Sequence, residues 1–116
     1  MRFRFRQLGD VAAVEAEEST LDAERADGFR DGLAAHLGAH RKVLLDLNAV
    51  AFADSTGLGA ILVCLHRAAA GGAKIRICRL RPLVQEMFHV LRLDRLVDVH
   101  ATPEEALRAF GAGCRL

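Results

Sequence analysis

Residues 52–60 read Phe-Ala-Asp-Ser-Thr-Gly-Leu-Gly-Ala and join two apolar runs of different period. Upstream, Lys42–Leu47 (KVLLDL) is a short aliphatic run closed by Asn48, and it reads as a strand. Downstream, Leu58, Ile61, Leu62, Leu65 and Ala69 fall on one helical stripe that stops at Gly71-Gly72. The join is therefore a strand-to-helix turn. In an open α/β sheet, such a turn lies at the carboxyl edge of the strands, where binding sites are built.

The flanking sequence extends the same grammar. Arg2–Gln7 (RFRFRQ) alternates strictly, the period of a half-buried strand, and Gly9-Asp10 turns it back into a second strand, Val11–Ala16. Asp22 opens a helix that carries Ala26, Phe29, Leu33 and Leu37 on one face and ends near Gly38. Ala73–Cys78 reads as a fourth strand, Pro82 begins a helix running to about Val90, and Leu96–His100 forms a short last strand. In Thr102-Pro103-Glu104-Glu105, Thr102 is the N-cap of a final helix and Glu105 completes a capping box. The order ββαβαβαβα predicts one α/β domain spanning 1–116, with a mixed, mostly parallel sheet of about five strands. Its four helices are expected mainly on one face. Ile75 and Ile77 alternate with Lys74, Arg76 and Cys78, and Phe3 and Phe5 alternate with Arg2, Arg4 and Arg6, so the other sheet face is expected to stay partly open.

Composition excludes several classes. With 116 residues, 52% hydrophobic and 27% charged, the chain suits one packed core and not a disordered tract. The longest apolar run, Ala60–Leu65, is far short of the ~20 residues that cross a bilayer. The amino terminus has no apolar h-region, so a cytoplasmic location is expected. A net charge of +1 gives no case for nucleic acid or an anionic membrane. Cys64, Cys78 and Cys114 form no Cys-x-x-Cys pair and are expected as reduced thiols, not a zinc site. No cofactor is expected.

The turn itself supports two readings. Asp54 or Ser55 can cap the helix, and a plain cap needs only one such residue. Thr56 then lies in the exposed first turn, where free N–H groups and the helix dipole favour an attached phosphate. Gly57 and Gly59 are expected to keep side chains away from an incoming group. A dinucleotide loop, a P-loop and a nucleophile elbow all fail, since Gly-x-Gly-x-x-Gly, Gly-Lys-[Ser/Thr] and Gly-x-Ser-x-Gly are absent here.

Beyond local chemistry, the run from Val43 to Leu107 resembles the STAS domain of bacterial anti-sigma factor antagonists. The likeness rests on the Leu-Asp-Leu strand end, the Asp-Ser-[Ser/Thr]-Gly-Leu-Gly turn, the Ala/Leu helix ending Gly-Gly, Pro82, the segment LRLDRLVDVH and the closing EEAL. The hairpin and helix before it match more loosely. The resemblance implies a binding module, not an enzyme. Unphosphorylated, it would bind an anti-sigma factor that is also a serine/threonine kinase; phosphorylated, it would release that partner, and a phosphatase would reset it. By position the phosphoacceptor is Thr56, with Ser55 as second choice. The partner-binding set is Asp22, Asp54, Ser55, Thr56, Gly57, Leu58 and Gly59. Asp22 matches the acid of the family's Gly-Glu-Leu-Asp helix start, although Ser19-Thr20 stand where the family has Gly-Glu. A second reading with the same fold is a STAS subunit of a lipid-transport ABC complex, bound to its ATPase. A homodimer through the open sheet face or an edge strand stays open.

The remaining polar clusters read as surface. His36 and His40, spaced i,i+4, are expected at a solvated helix end and not as metal ligands. Arg76, Arg79 and Arg81 could meet an acidic partner or a phosphate but are expected along a solvated edge, and Glu15, Glu17 and Glu18 on the surface of the hairpin and following loop. Val63 and Leu80 are read as core or as exposed apolar contacts.

Overall fold

Two short strands that no periodicity reveals organise the end of the molecule where two of its helices begin. The structure, a computed structural model, describes residues 1–111; Cys114 lies outside them. In chain order it contains β1 (Phe3–Leu8), β2 (Val11–Ala16), β3 (Thr20–Leu21), α1 (Ala23–Ala39), β4 (Lys42–Asp46) and β5 (Phe52–Ala53). There follow α2 (Ser55–Gly71), β6 (Lys74–Cys78), α3 (Pro82–Val90), a 3₁₀ turn (Leu93–Arg95), β7 (Asp98–His100) and α4 (Pro103–Ala109).

The main sheet has five strands in the order β1-β2-β4-β6-β7, antiparallel between β1 and β2 and parallel elsewhere. It is the mixed sheet expected from the strand–helix alternation. The last strand is shorter than expected. The 3₁₀ turn consumes the residues before Leu96, and pairing with β6 starts only at Asp98. Strands β3 and β5 pair in parallel as a separate ribbon, Thr20 with Phe52 and Leu21 with Ala53.

One face of the sheet carries Val14, Val43, Leu45 and Ile77, fully buried against Phe29 and Leu33 of α1, Leu58 and Ile61 of α2, and Phe88 of α3. The buried side of α2 runs through Gly57, Leu58, Ile61, Cys64, Leu65 and Ala68. Leu62 is only half-buried and Ala69 exposed, so the apolar stripe is rotated from its expected line. The opposite face is not bare. Leu44 and Cys78, on the outward side of their strands, are buried with Val11 under Ala106 of α4. Three helices thus cover one face and the short α4 covers part of the other. Burial pushes the Cys64 and Cys78 thiols up to about 11 and about 12, so both are neutral at ordinary pH.

Several clusters expected at the surface are tied in instead. His36 and His40 stack on Phe5 of β1, with ring centroids 5.3 and 5.5 Å away. Desolvation, and secondarily His40, lowers the pKa of His36. Arg79 holds Asp46 through its Nε at 3.0 Å, a pair at the carboxyl edge of the sheet in which Asp46 is 8% exposed. Arg76 lies over the Phe110 ring at 5.3 Å and donates to Asp98, while Arg81 Nε donates to the Asn48 carbonyl. Arg81 is exposed as expected, whereas Arg76 and Arg79 are half-buried and held by their partners. Glu15 and Glu17 face Arg4, and Glu18 faces Arg25. Val63 is exposed; Leu80 is half-buried against the core.

Candidate functional site

The turn opened by Asp54 sits where α1 and α2 begin side by side. Each helix leaves N–H groups of its first turn without an intrahelical acceptor, so each start needs oxygen from elsewhere. Asp22 caps α1 through the Arg25 N–H at 3.2 Å, and the Arg25 guanidinium in turn bonds Asp22. Asp54 caps α2 through the Gly57 N–H at 2.8 Å. Its second oxygen accepts from Ala23 N–H, the first residue of α1, at 3.1 Å. One carboxylate thus serves the first turns of two helices. The ribbon β3–β5 enforces the arrangement: Asp54 N–H donates to the Leu21 carbonyl at 3.1 Å, and Ala51 N–H to that of Ser19 at 2.8 Å.

With Asp54 doing the capping, Ser55 has no cap to make. Ser55 and Thr56 are both exposed, on the first turn of α2, and among the described residues neither hydroxyl has a hydrogen-bond partner. The two hydroxyls are displayed at a helix start that carries partial positive charge.

The two glycines do different work from each other. A Cβ on Gly57 would lie 2.1 Å from the Leu21 carbonyl oxygen, so this glycine lets the ribbon's backbone press against α2. That corrects its expected role, since its open side faces the chain itself and not an incoming group. A Cβ on Gly59 would meet nothing within 4 Å. Leu58 is 1% exposed and belongs to the core. The seven residues singled out from sequence therefore divide three ways. Asp22 and Asp54 build the site, Gly57 and Leu58 anchor it inside, and Ser55, Thr56 and Gly59 face outward.

Sequence reasoning missed Phe52, which is 46% exposed directly before the turn. Its neighbour Ala53 is buried, and that alternation within FADS was the available signal. Along α2, Val63 lies one to two turns beyond Thr56 and Gly59 at helical spacing and is exposed too. Among the described residues, no group of three or more His, Cys, Asp or Glu side chains is positioned to hold a metal ion, and no helix is long and apolar enough to cross a membrane.

A five-stranded mixed sheet with three helices on one face, and a strand-to-helix turn displaying two hydroxyls over a shared aspartate cap, define this small α/β domain. The STAS domain family model matches residues 4–106, and the chain belongs to that family. A proposed anti-sigma factor antagonist from Thermotoga maritima is similar over 92% of both chains, at 25% identity and a TM-score of 0.85. The Bacillus cell fate determinant SpoIIAA in its phosphorylated form is 19% identical, with a TM-score of 0.69 over 94% of this chain and 99% of that one. The same fold occurs in the murine solute carrier 26 family member A9 anion transporter. There the TM-score is 0.79 at 17% identity, over 95% of this chain and 19% of the transporter.

Proposed function

We propose that this protein is an anti-sigma factor antagonist that works in the cytoplasm as a phosphorylation-controlled binding switch. Unphosphorylated, it sequesters an anti-sigma factor that is also a serine/threonine kinase; phosphorylated on Thr56, with Ser55 the second choice, it releases that partner. A phosphatase resets it. The observation that carries this reading is the freedom of both hydroxyls on a helix start already capped by Asp54. A structural cap would have used one of them.

The domain supplies no catalysis in this scheme. It presents a hydroxyl in fixed geometry, and the kinase activates it. Phosphorylation adds roughly −1.5 to −2 charges to a surface that already carries the Asp22 and Asp54 carboxylates. A partner surface shaped for a neutral hydroxyl would have to desolvate that charge beside two acids. A penalty of ~3 kcal/mol weakens binding more than a hundredfold. Ser55, Thr56 and Gly59 supply the centre of the contact, with Phe52 and Val63 as apolar flanks.

Incubation with the cognate kinase and ATP, followed by phosphosite mapping, tests the reading directly. Phosphate on Thr56, and loss of kinase binding by Thr56→Glu, are expected. Absence of phosphate from both hydroxyls, together with unchanged binding by Thr56→Glu, would sink it.

A further inference from the structure

The first strand of the sheet has one partner and one open side. β1 is a sheet edge, paired only with β2 among the described residues. The Glu17 N–H donates to the Arg2 carbonyl, and Leu8 faces Val11 across the turn. In an antiparallel pair, bonded positions alternate, so Arg2, Arg4, Arg6 and Leu8 spend their backbone groups on β2. The N–H and C=O groups of Phe3, Phe5 and Gln7 point out of the sheet. An edge of this length is a template for another strand unless something guards it.

The guards here carry one sign. Phe3 and Phe5 turn to the α1 side, where they meet Phe29, His36 and His40. Arg2, Arg4 and Arg6 stand on the other side of the strand, all exposed and about 6.8 Å apart. Arg4 reaches Glu15 and Glu17 yet stays 66% exposed, and Arg2 and Arg6 have no ion-pair partner among the described residues. A second copy of β1 added here would set arginine opposite arginine, and like charges directly opposite are destabilising. A strand with acidic residues at every second position would place a carboxylate opposite each guanidinium.

We propose that the outer edge of β1 is a docking site for an extended acidic segment of a partner protein, added to the sheet as a further strand. Main-chain bonds to Phe3, Phe5 and Gln7 hold it, and Arg2, Arg4 and Arg6 select it. The proposed site shares no residue with the Thr56 surface, and the proposal does not rest on the switch.

A soluble eight-residue peptide alternating Glu and Thr is the probe, titrated into the full-length protein and followed by backbone amide NMR and hydrogen exchange. The expected result is saturable shifts and slowed exchange at Phe3, Phe5 and Gln7, with no binding of a Lys/Thr peptide. Three exposed charge pairs amount to roughly tenfold in affinity, so an Arg2→Glu/Arg4→Glu/Arg6→Glu variant should lose about that factor. Gln7→Pro removes the outward N–H together with the Gln7 side-chain bonds to the Gly9 and Val11 carbonyls, and Gln7→Ala, which loses those bonds and keeps the N–H, is its control: binding should weaken in the proline variant and not in the alanine one, with circular dichroism unchanged in both. If the charge-reversed variant is unfolded, Arg6→Ser, at an exposed side chain without partners, carries the test with a smaller loss. Shifts confined to other surfaces, equal binding of the Lys/Thr peptide, or no saturation would overturn the proposal.

Discussion

The two helix starts that meet at the candidate site are built alike and loaded differently. At α1, Asp22 bonds the third N–H of its own helix and is braced by Arg25. At α2, Asp54 bonds the third N–H of its own helix and also the first N–H of its neighbour. One aspartate is a cap and the other a joint. The difference shows how a site can be rigid at its base while its outward hydroxyls stay uncommitted: the stiffness is supplied by one carboxylate and a two-residue ribbon.

That contrast can be broken by substitution. The largest effect is expected from Gly57→Ala, whose new Cβ meets the Leu21 backbone. Overpacking of this kind costs about 1–3 kcal/mol, and the gain in helix propensity returns up to ~1. Because the contact is with backbone, which cannot swing aside as a side chain can, the cost lies at the top of that range or beyond it, and urea unfolding should show a net loss of more than about 2 kcal/mol, with exchange of the Asp54 amide accelerated. Next comes Asp54→Ala, expected to cost about 2 kcal/mol because a cap and a second charge-assisted bond disappear together. Asp22→Ala should cost about 1 kcal/mol, the ordinary value for one cap. If the two aspartate variants cost the same in matched urea titrations, Asp54 is no joint. A double-mutant cycle sharpens the point, since both residues serve the first turn of α1 and their effects should not add. The smallest effect is predicted for Gly59→Ala, which fills open space on a helix and should stabilise by about 0.5–1 kcal/mol. Gly59→Arg tests function more than stability: on the proposed reading it leaves the fold intact and blocks the partner.

Much of the architecture was legible because it repeats locally. Strict alternation in β1, the Gly9-Asp10 turn, the spacing of Ala26, Phe29 and Leu33, and the Thr102-Pro103 start each carry their own signal within a few residues. The ribbon β3–β5 was not, since two-residue strands have no period to read. The role of Gly57 follows from that ribbon and was hidden with it. The place of α4 on the second sheet face was hidden for another reason: a helical pattern says which residues are buried, not against which surface. Leu44 and Cys78 are the outward apolar residues that α4 covers, and the alternation that counts Cys78 with Lys74 and Arg76 toward an open face does not show it. At the site, the acid and the exposed hydroxyls were readable from the turn. Which oxygen bonded which N–H needed the fold, because Asp54 and Ala23 are 31 residues apart.

The same separation gives the site a place in time. A chain must close a loop of 31 residues and bring β3 beside β5 before the shared cap can exist, and non-local contacts of this kind form late relative to local helices. Unfolded or half-folded copies carry the sequence Asp-Ser-Thr-Gly but not its presentation. On the proposed reading, a partner that recognises the clamped turn would also select finished molecules, because only a chain with the ribbon in place presents it.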